Sequence, residues 1–155
     1  MRSTERLDKT LVLALNDVVA HDQVAVDLCD LAITRGYCAD DARALVELRD
    51  DHTRQVRSVG LLLESLGASI AGGLGAVVSH HLLTSELALI EALYLNSVRA
   101  HARYHHLLNR RDLPVRLRGV LSGNLGNERY HATWLEQRLL VGLAARDADS
   151  AAHGS

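Results

Sequence analysis

The stretch Asn127-Glu128-Arg129-Tyr130-His131 is preceded by Leu121 and Leu125 and followed by Leu135 and Leu139. On a helix, residues three and four apart share a face, and here that face is otherwise leucine. Glu128 and His131 are therefore expected to point into a core. A carboxylate without a partner in an apolar interior is costly, so it must meet a cation, a metal or a hydrogen-bond network. Those partners have to come from other helices.

The rest of the chain offers such helices. Apolar residues make up 48% of the 155, yet aromatics only 3%, with one Pro and no Phe. An aliphatic, all-α core follows from this composition, and no strand pattern stands out. Helix 4 is expected from Pro114 to about Ala144, with Gly119, Gly123 and Gly126 on the side away from Leu121, Leu125 and Glu128. That glycine face bends the helix or admits another backbone, and a homodimer contact is one use for it. The Ala-, Asp- and Ser-rich residues 147–155 read as a disordered tail on a domain spanning 1–146.

Helix 1 is expected from about Thr4 to Thr34, with Leu11, Leu15, Val18, Asp22, Val26, Cys29 and Ile33 forming its inner stripe. Gly36 stops it. Helix 2 runs from about Asp40 to Leu66 with a stripe of Ala42, Leu45, Arg49, His52, Val56, Val59, Leu63 and Leu66, and Gly67 closes it. The glycine-rich 67–75 stretch reads as a long crossover. Helix 3 is placed from about Ser79 to Arg110, with Leu83, Leu89 or Ile90, Leu93, Asn96 or Ser97, Ala100, Tyr104 and Leu107 inward. Two helical hairpins joined by a Gly-rich crossover make an antiparallel four-helix bundle.

Each stripe turns polar near its middle. In an antiparallel hairpin, residues equally far from the turn share a height, which sets Asp22 opposite His52 and Asn96 opposite Glu128. Asp22, Arg49, His52, Asn96 or Ser97, Glu128 and His131 are thus expected in one layer.

This arrangement resembles the ferritin-like superfamily, in particular its small bacterial rubrerythrin-like members. The resemblance implies a bundle built to hold two iron or manganese ions, with one carboxylate from each of two helices and a Glu-x-x-His motif from each of the others. Carried over, Asp22 is the first-helix carboxylate, His52 the histidine of helix 2, and Glu128 and His131 the complete motif of helix 4. Arg49 stands where helix 2 would supply a glutamate, and Leu95, Asn96 and Ser97 where helix 3 would supply a carboxylate; Glu91 is the nearest acid. Two carboxylates and a permanent cation cannot balance two divalent ions.

Two functions are compatible with that inventory. In the first, the bundle is non-catalytic and acts in assembly or binding, with no cofactor; Arg49 replaces the metal and bridges Asp22 and Glu128. In the alternative, Asp22, His52, Glu128 and His131 hold a single divalent iron or manganese for metal handling or oxidative-stress chemistry.

Other classes find little support. A net charge of −2 leaves no basic footprint for nucleic acid. No apolar run approaches the ~20 residues that span a bilayer, and the N-terminus is not a secretory signal, so a cytoplasmic protein is expected. Cys29 and Cys38 are too few for a disulfide framework. His101 and His105, four apart, lack an acidic partner and read as a solvated face. Gly72-Gly73-Leu74-Gly75 lacks the lysine and the strand of a phosphate loop.

Overall fold

A computed structural model describes residues 8–71 and 83–153. Among these residues the chain is helical without strands: α1 (Lys9–Thr34), a 3-10 turn (Ala39–Asp41), α2 (Ala42–Ser65), α3 (Glu86–Leu108) and α4 (Val115–His153). The four long helices pack against one another, α1 on α2 and α3, and α4 on α3 and α2. None is long and apolar enough to cross a membrane.

The expected stops of the first two helices are present and share one geometry. Gly36 and Gly67 take φ of +67° and +74°, a left-handed conformation that a residue with a Cβ seldom adopts. Beyond each glycine the chain folds back, Tyr37 N–H donating to Ala32 O and Ala68 N–H to Leu63 O, both at 2.9 Å. At the start of α3 the Ser85 hydroxyl accepts from the Ala88 N–H at 3.1 Å, satisfying a backbone donor that the first turn leaves without a helical partner.

Two element boundaries differ from expectation. α3 is described only from Glu86, and the expected start at Ser79 lies outside the described residues, as do residues 72–75 of the glycine-rich crossover. The last described part of that connection is tied to α1 by Asn16, whose Oδ1 accepts from Ala71 N–H at 2.7 Å. α4 continues to His153, past the end expected near Ala144 and through the segment expected to be disordered. Asp147 to His153 are exposed, and local bonds such as Ser150 Oγ to Arg146 O and His153 Nδ1 to Asp149 O accompany the extension.

Burial follows the stripes closely on α3, where Leu89, Ile90, Leu93, Asn96, Ser97, Ala100, Tyr104 and Leu107 are all interior. On α2 the inner face is Leu45, Leu48, His52, Gln55, Val59 and Leu63, with Gly60 beside it. The stripe is thus displaced by one residue at two places, Leu48 for Arg49 and Gln55 for Val56. The apolar side chains gather in two clusters. One holds Leu11, Leu15, Val18, Val59, Leu63, Leu107, Leu117 and Leu121; the other holds Leu28, Cys29, Leu45, Leu48, Leu89, Leu93 and Leu135. On every helix a polar residue separates the members of one cluster from those of the other.

Candidate metal centre

α1 places Asp22 in the gap between the clusters, α2 places His52 and Gln55, α3 places Ser97 and Tyr104, and α4 places Asn124, Glu128 and His131. All eight are buried. Each position follows from a spacing of three or four residues that keeps one face turned inward, such as His52 to Gln55, or Asn124 to Glu128 to His131.

His52 is central. Its Nδ1 lies 3.1 Å from Asp22 Oδ1 and 3.4 Å from Glu128 Oε1. The end of the Gln55 amide joins them, 2.9 Å from Asp22 Oδ1, 3.1 Å from Glu128 Oε1 and 3.1 Å from His52 Nδ1. The outer oxygen of each carboxylate is bound elsewhere: Tyr104 OH donates to Asp22 Oδ2 at 2.5 Å, and Ser97 Oγ donates to Glu128 Oε2 at 2.9 Å. Asn124 in turn donates to the Tyr104 oxygen at 3.2 Å. Both carboxylates therefore have one oxygen held by a hydroxyl and one turned inward.

His131 completes the group from the other side. Its ring lies 4.9 Å from that of His52, centroid to centroid. Its Nε2 pairs with Asp51 Oδ2 at 3.0 Å, while its Nδ1 is buried without a hydrogen-bond partner, 3.9 Å from Glu128 Oε1. A hydrogen bond from Nε2–H to a carboxylate fixes the tautomer and leaves Nδ1 as a lone pair facing the cluster. Asp51, at the edge of the layer, is itself paired with Arg54. It sits in a groove of about 50 Å³ lined by Glu47, Leu48, Asp51, Tyr130, His131 and Trp134.

The electrostatics reflect a pair of acids around one imidazole. Burial pushes the Asp22 carboxyl above its ordinary value, against the hydrogen bond and charge of His52. For Glu128 burial pulls the same way, but His131, the His52 charge and Ser97 outweigh it and hold the group below the usual range. Burial opposes a charged His52, yet Asp22 and Glu128 together raise its pKa. Tyr104 is held well above its ordinary value by burial and by Asp22, so it remains a donor.

Of the four expected ligands, His52, Glu128 and His131 bring one ligand atom each within 4.8 Å of one another, and Asp22 adjoins that group through His52 Nδ1. Arg49 does not join them. Its guanidinium pairs with Asp50 at 2.9 Å and Asp30 at 3.4 Å, so the expected bridge to Asp22 and Glu128 is absent. The reason is angular: Arg49 lies some 60° around α2 from His52, on a shoulder where two aspartates and water receive a charge that the interior would not. Asn96 also leaves the layer, donating to His21 O at 2.9 Å, and Ser97 takes the inward place. Gln55 was missed, although Leu48-His52-Gln55-Val59 is a regular four-three-four spacing; Tyr104 and Asn124 were missed as site residues because each reads as ordinary core or helix surface. His101 and His105 stack at 6.4 Å, centroid to centroid. Around Gly119, Gly123 and Gly126 a Cβ would meet nothing within 4 Å, so their face is open in the single chain.

The donor set suits a small divalent cation. Bonds of about 2.0–2.2 Å from a metal to N and O ligands place neighbouring ligand atoms about 3.0–3.4 Å apart, the spacing found between His52 Nδ1 and the two carboxylate oxygens. Atoms of His52, Glu128 and His131 all lie within 4.8 Å of one another. The chain matches no protein-family model and no curated protein.

Proposed function

We propose that this chain is a ferritin-like bundle, its neighbouring helices antiparallel, that holds one divalent iron or manganese ion. The order of cross-helix partners supports the topology: Asp17 of α1 pairs with Arg103 and His21 with Asn96, while Asp41 pairs with Arg138 and Asp51 with His131. As one partner advances along the chain the other retreats. α2 and α3 then run parallel and need a crossover as long as the bundle.

The observation that carries the metal reading is His131 Nδ1, a buried nitrogen with no hydrogen-bond partner, backed by Asp51 on its other ring nitrogen and facing Glu128 and a second imidazole. Two carboxylates neutralise a single divalent ion, and the layer contains no permanent cation once Arg49 is placed outside. Asp22, His52, Glu128 and His131 would be the ligands. Such an ion supplies Lewis acidity or one-electron chemistry; Ser97 and Tyr104 fix the carboxylates that face it, and Asp51 fixes the tautomer of His131. Metal storage, delivery or oxidative-stress chemistry are the uses compatible with that set.

Purified protein stripped with chelator and reloaded anaerobically with Fe(II), Mn(II) or Zn(II) should retain about one ion per chain by elemental analysis. His131→Ala and Glu128→Gln should abolish retention. No metal retained at any loading would overturn the reading.

One observation favours a metal-free state of the same layer. A protonated His52 reaches Asp22 and Glu128 at once, so an imidazolium takes the role first assigned to Arg49. In that case the bundle is a non-catalytic interaction protein, and the same elemental analysis returns no metal.

A further inference from the structure

The amide of Gln55 ends within 2.9–3.1 Å of Asp22 Oδ1, Glu128 Oε1 and His52 Nδ1, three atoms that are all acceptors when His52 carries its proton on Nε2, the tautomer a metal-bound Nδ1 requires. An NH2 group has two protons for those three atoms, so nitrogen at that position satisfies two fully and shares the third. In that tautomer, oxygen at that position would make four lone-pair atoms, from Asp22, His52, Glu128 and Gln55, converge with no hydrogen among them. That arrangement is repulsive alone and favourable around a cation.

We infer that Gln55 is a further ligand of the metal site and that its amide turns over with occupancy, nitrogen inward when the layer is empty and oxygen inward when a divalent ion is bound. The inference rests on the metal reading. Its physical content is a single side chain that stabilises both states. Without metal it screens two buried carboxylates from each other. With metal it contributes a neutral oxygen, so the ligand charge stays at −2 from Asp22 and Glu128. Neutrality at Gln55 also bears on selectivity: a glutamate there would bring a third negative charge and favour a trivalent ion or a second cation. Gln55 is 2% exposed, so water does not compete for either end of the amide, and a half-turn about its last side-chain bond exchanges the ends without moving α2.

The test uses the full chain, loaded with Mn(II) or Zn(II). Gln55→Leu should lower Mn(II) affinity at least about tenfold by calorimetric titration with helicity unchanged, while Gln55→Glu should restore binding. Should Gln55→Leu fail to fold, the unsubstituted protein gives a second readout. The Gln55 side-chain carbonyl and NH2 resonances should shift on loading with diamagnetic Zn(II), with the NH2 protons losing protection from exchange. Wild-type affinity in Gln55→Leu, or unmoved Gln55 resonances in a Zn(II)-loaded sample, overturns the role of Gln55 and leaves the four-ligand site standing. Absence of uptake by the unsubstituted chain overturns both.

Discussion

Tyr104 shows at the level of one residue how the layer is held. Its hydroxyl is both the donor to Asp22 and the acceptor from Asn124. Tyr104→Phe leaves the ring packed and removes only that oxygen, orphaning one carboxylate oxygen. A loss of about 1–3 kcal/mol in urea denaturation is expected, as for other buried acceptors deprived of a donor; an unchanged midpoint would mean that the two hydrogen bonds are not formed. His52 gives a pH signature for the metal-free protein. Its pKa is raised in the folded state from the ordinary 6.5, so its contribution is fully present below that value and lost as pH rises through the folded pKa. Stability should therefore fall with pH on the alkaline side of 6.5, and His52→Gln should flatten the curve. A wild-type curve already flat there would contradict the assignment.

Among the elements, α2 is the most instructive. Arg49 and Gln55 flank His52 at equal distance in sequence, three residues on either side, and sequence periodicity alone could turn either one inward. The structure turns Gln55 inward because a guanidinium keeps its charge in the interior and an amide has none to lose. Arg49→Ala should leave the denaturation midpoint and the metal content unchanged, whereas the inward positions should not tolerate such a change; a folding defect in Arg49→Ala would revive a role for it in the core. Helix existence, the two glycine stops and the inner stripe of α3 were legible in the sequence because Gly, Pro and leucine spacing are local signals. Which of two adjacent residues faces inward was not, since a one-residue shift of stripe depends on what the neighbouring helices present. The length of α4 was hidden for the opposite reason: Asp147 to His153 are exposed, so no hydrophobic pattern marks them. Deletion of residues 147–155 should therefore lower helicity in proportion to the residues removed while leaving the urea midpoint in place. A lowered midpoint would show that the extension has a partner.

For the whole molecule, the consequence of the layer is a core divided in two. Among the described residues, aliphatic clusters lie above and below a belt of buried hydroxyls, carboxylates, amides and imidazoles, in which His131 Nδ1 is buried without a hydrogen-bond partner. An interior bound for stability alone would have closed that belt with leucine, since a buried ionic group is seldom better than a well-packed apolar one. The convergence of Asp22, His52, Glu128 and His131 was legible from interrupted stripes and hairpin arithmetic; the balance of charge within it was not, because it turned on the angular position of Arg49. A bound divalent ion would link α1, α2 and α4, so a chelator-stripped protein should melt at lower temperature than the reloaded one, with the gain rising with free metal concentration.

The most direct measurement is anomalous X-ray scattering from crystals of the chain reloaded with manganese. The expected result is one peak per chain, at mid-bundle, within bonding distance of Asp22, His52, Glu128 and His131. Fully loaded crystals with no peak in that layer, or with manganese only on surface carboxylates such as Asp30 and Asp50, would contradict the metal centre outright.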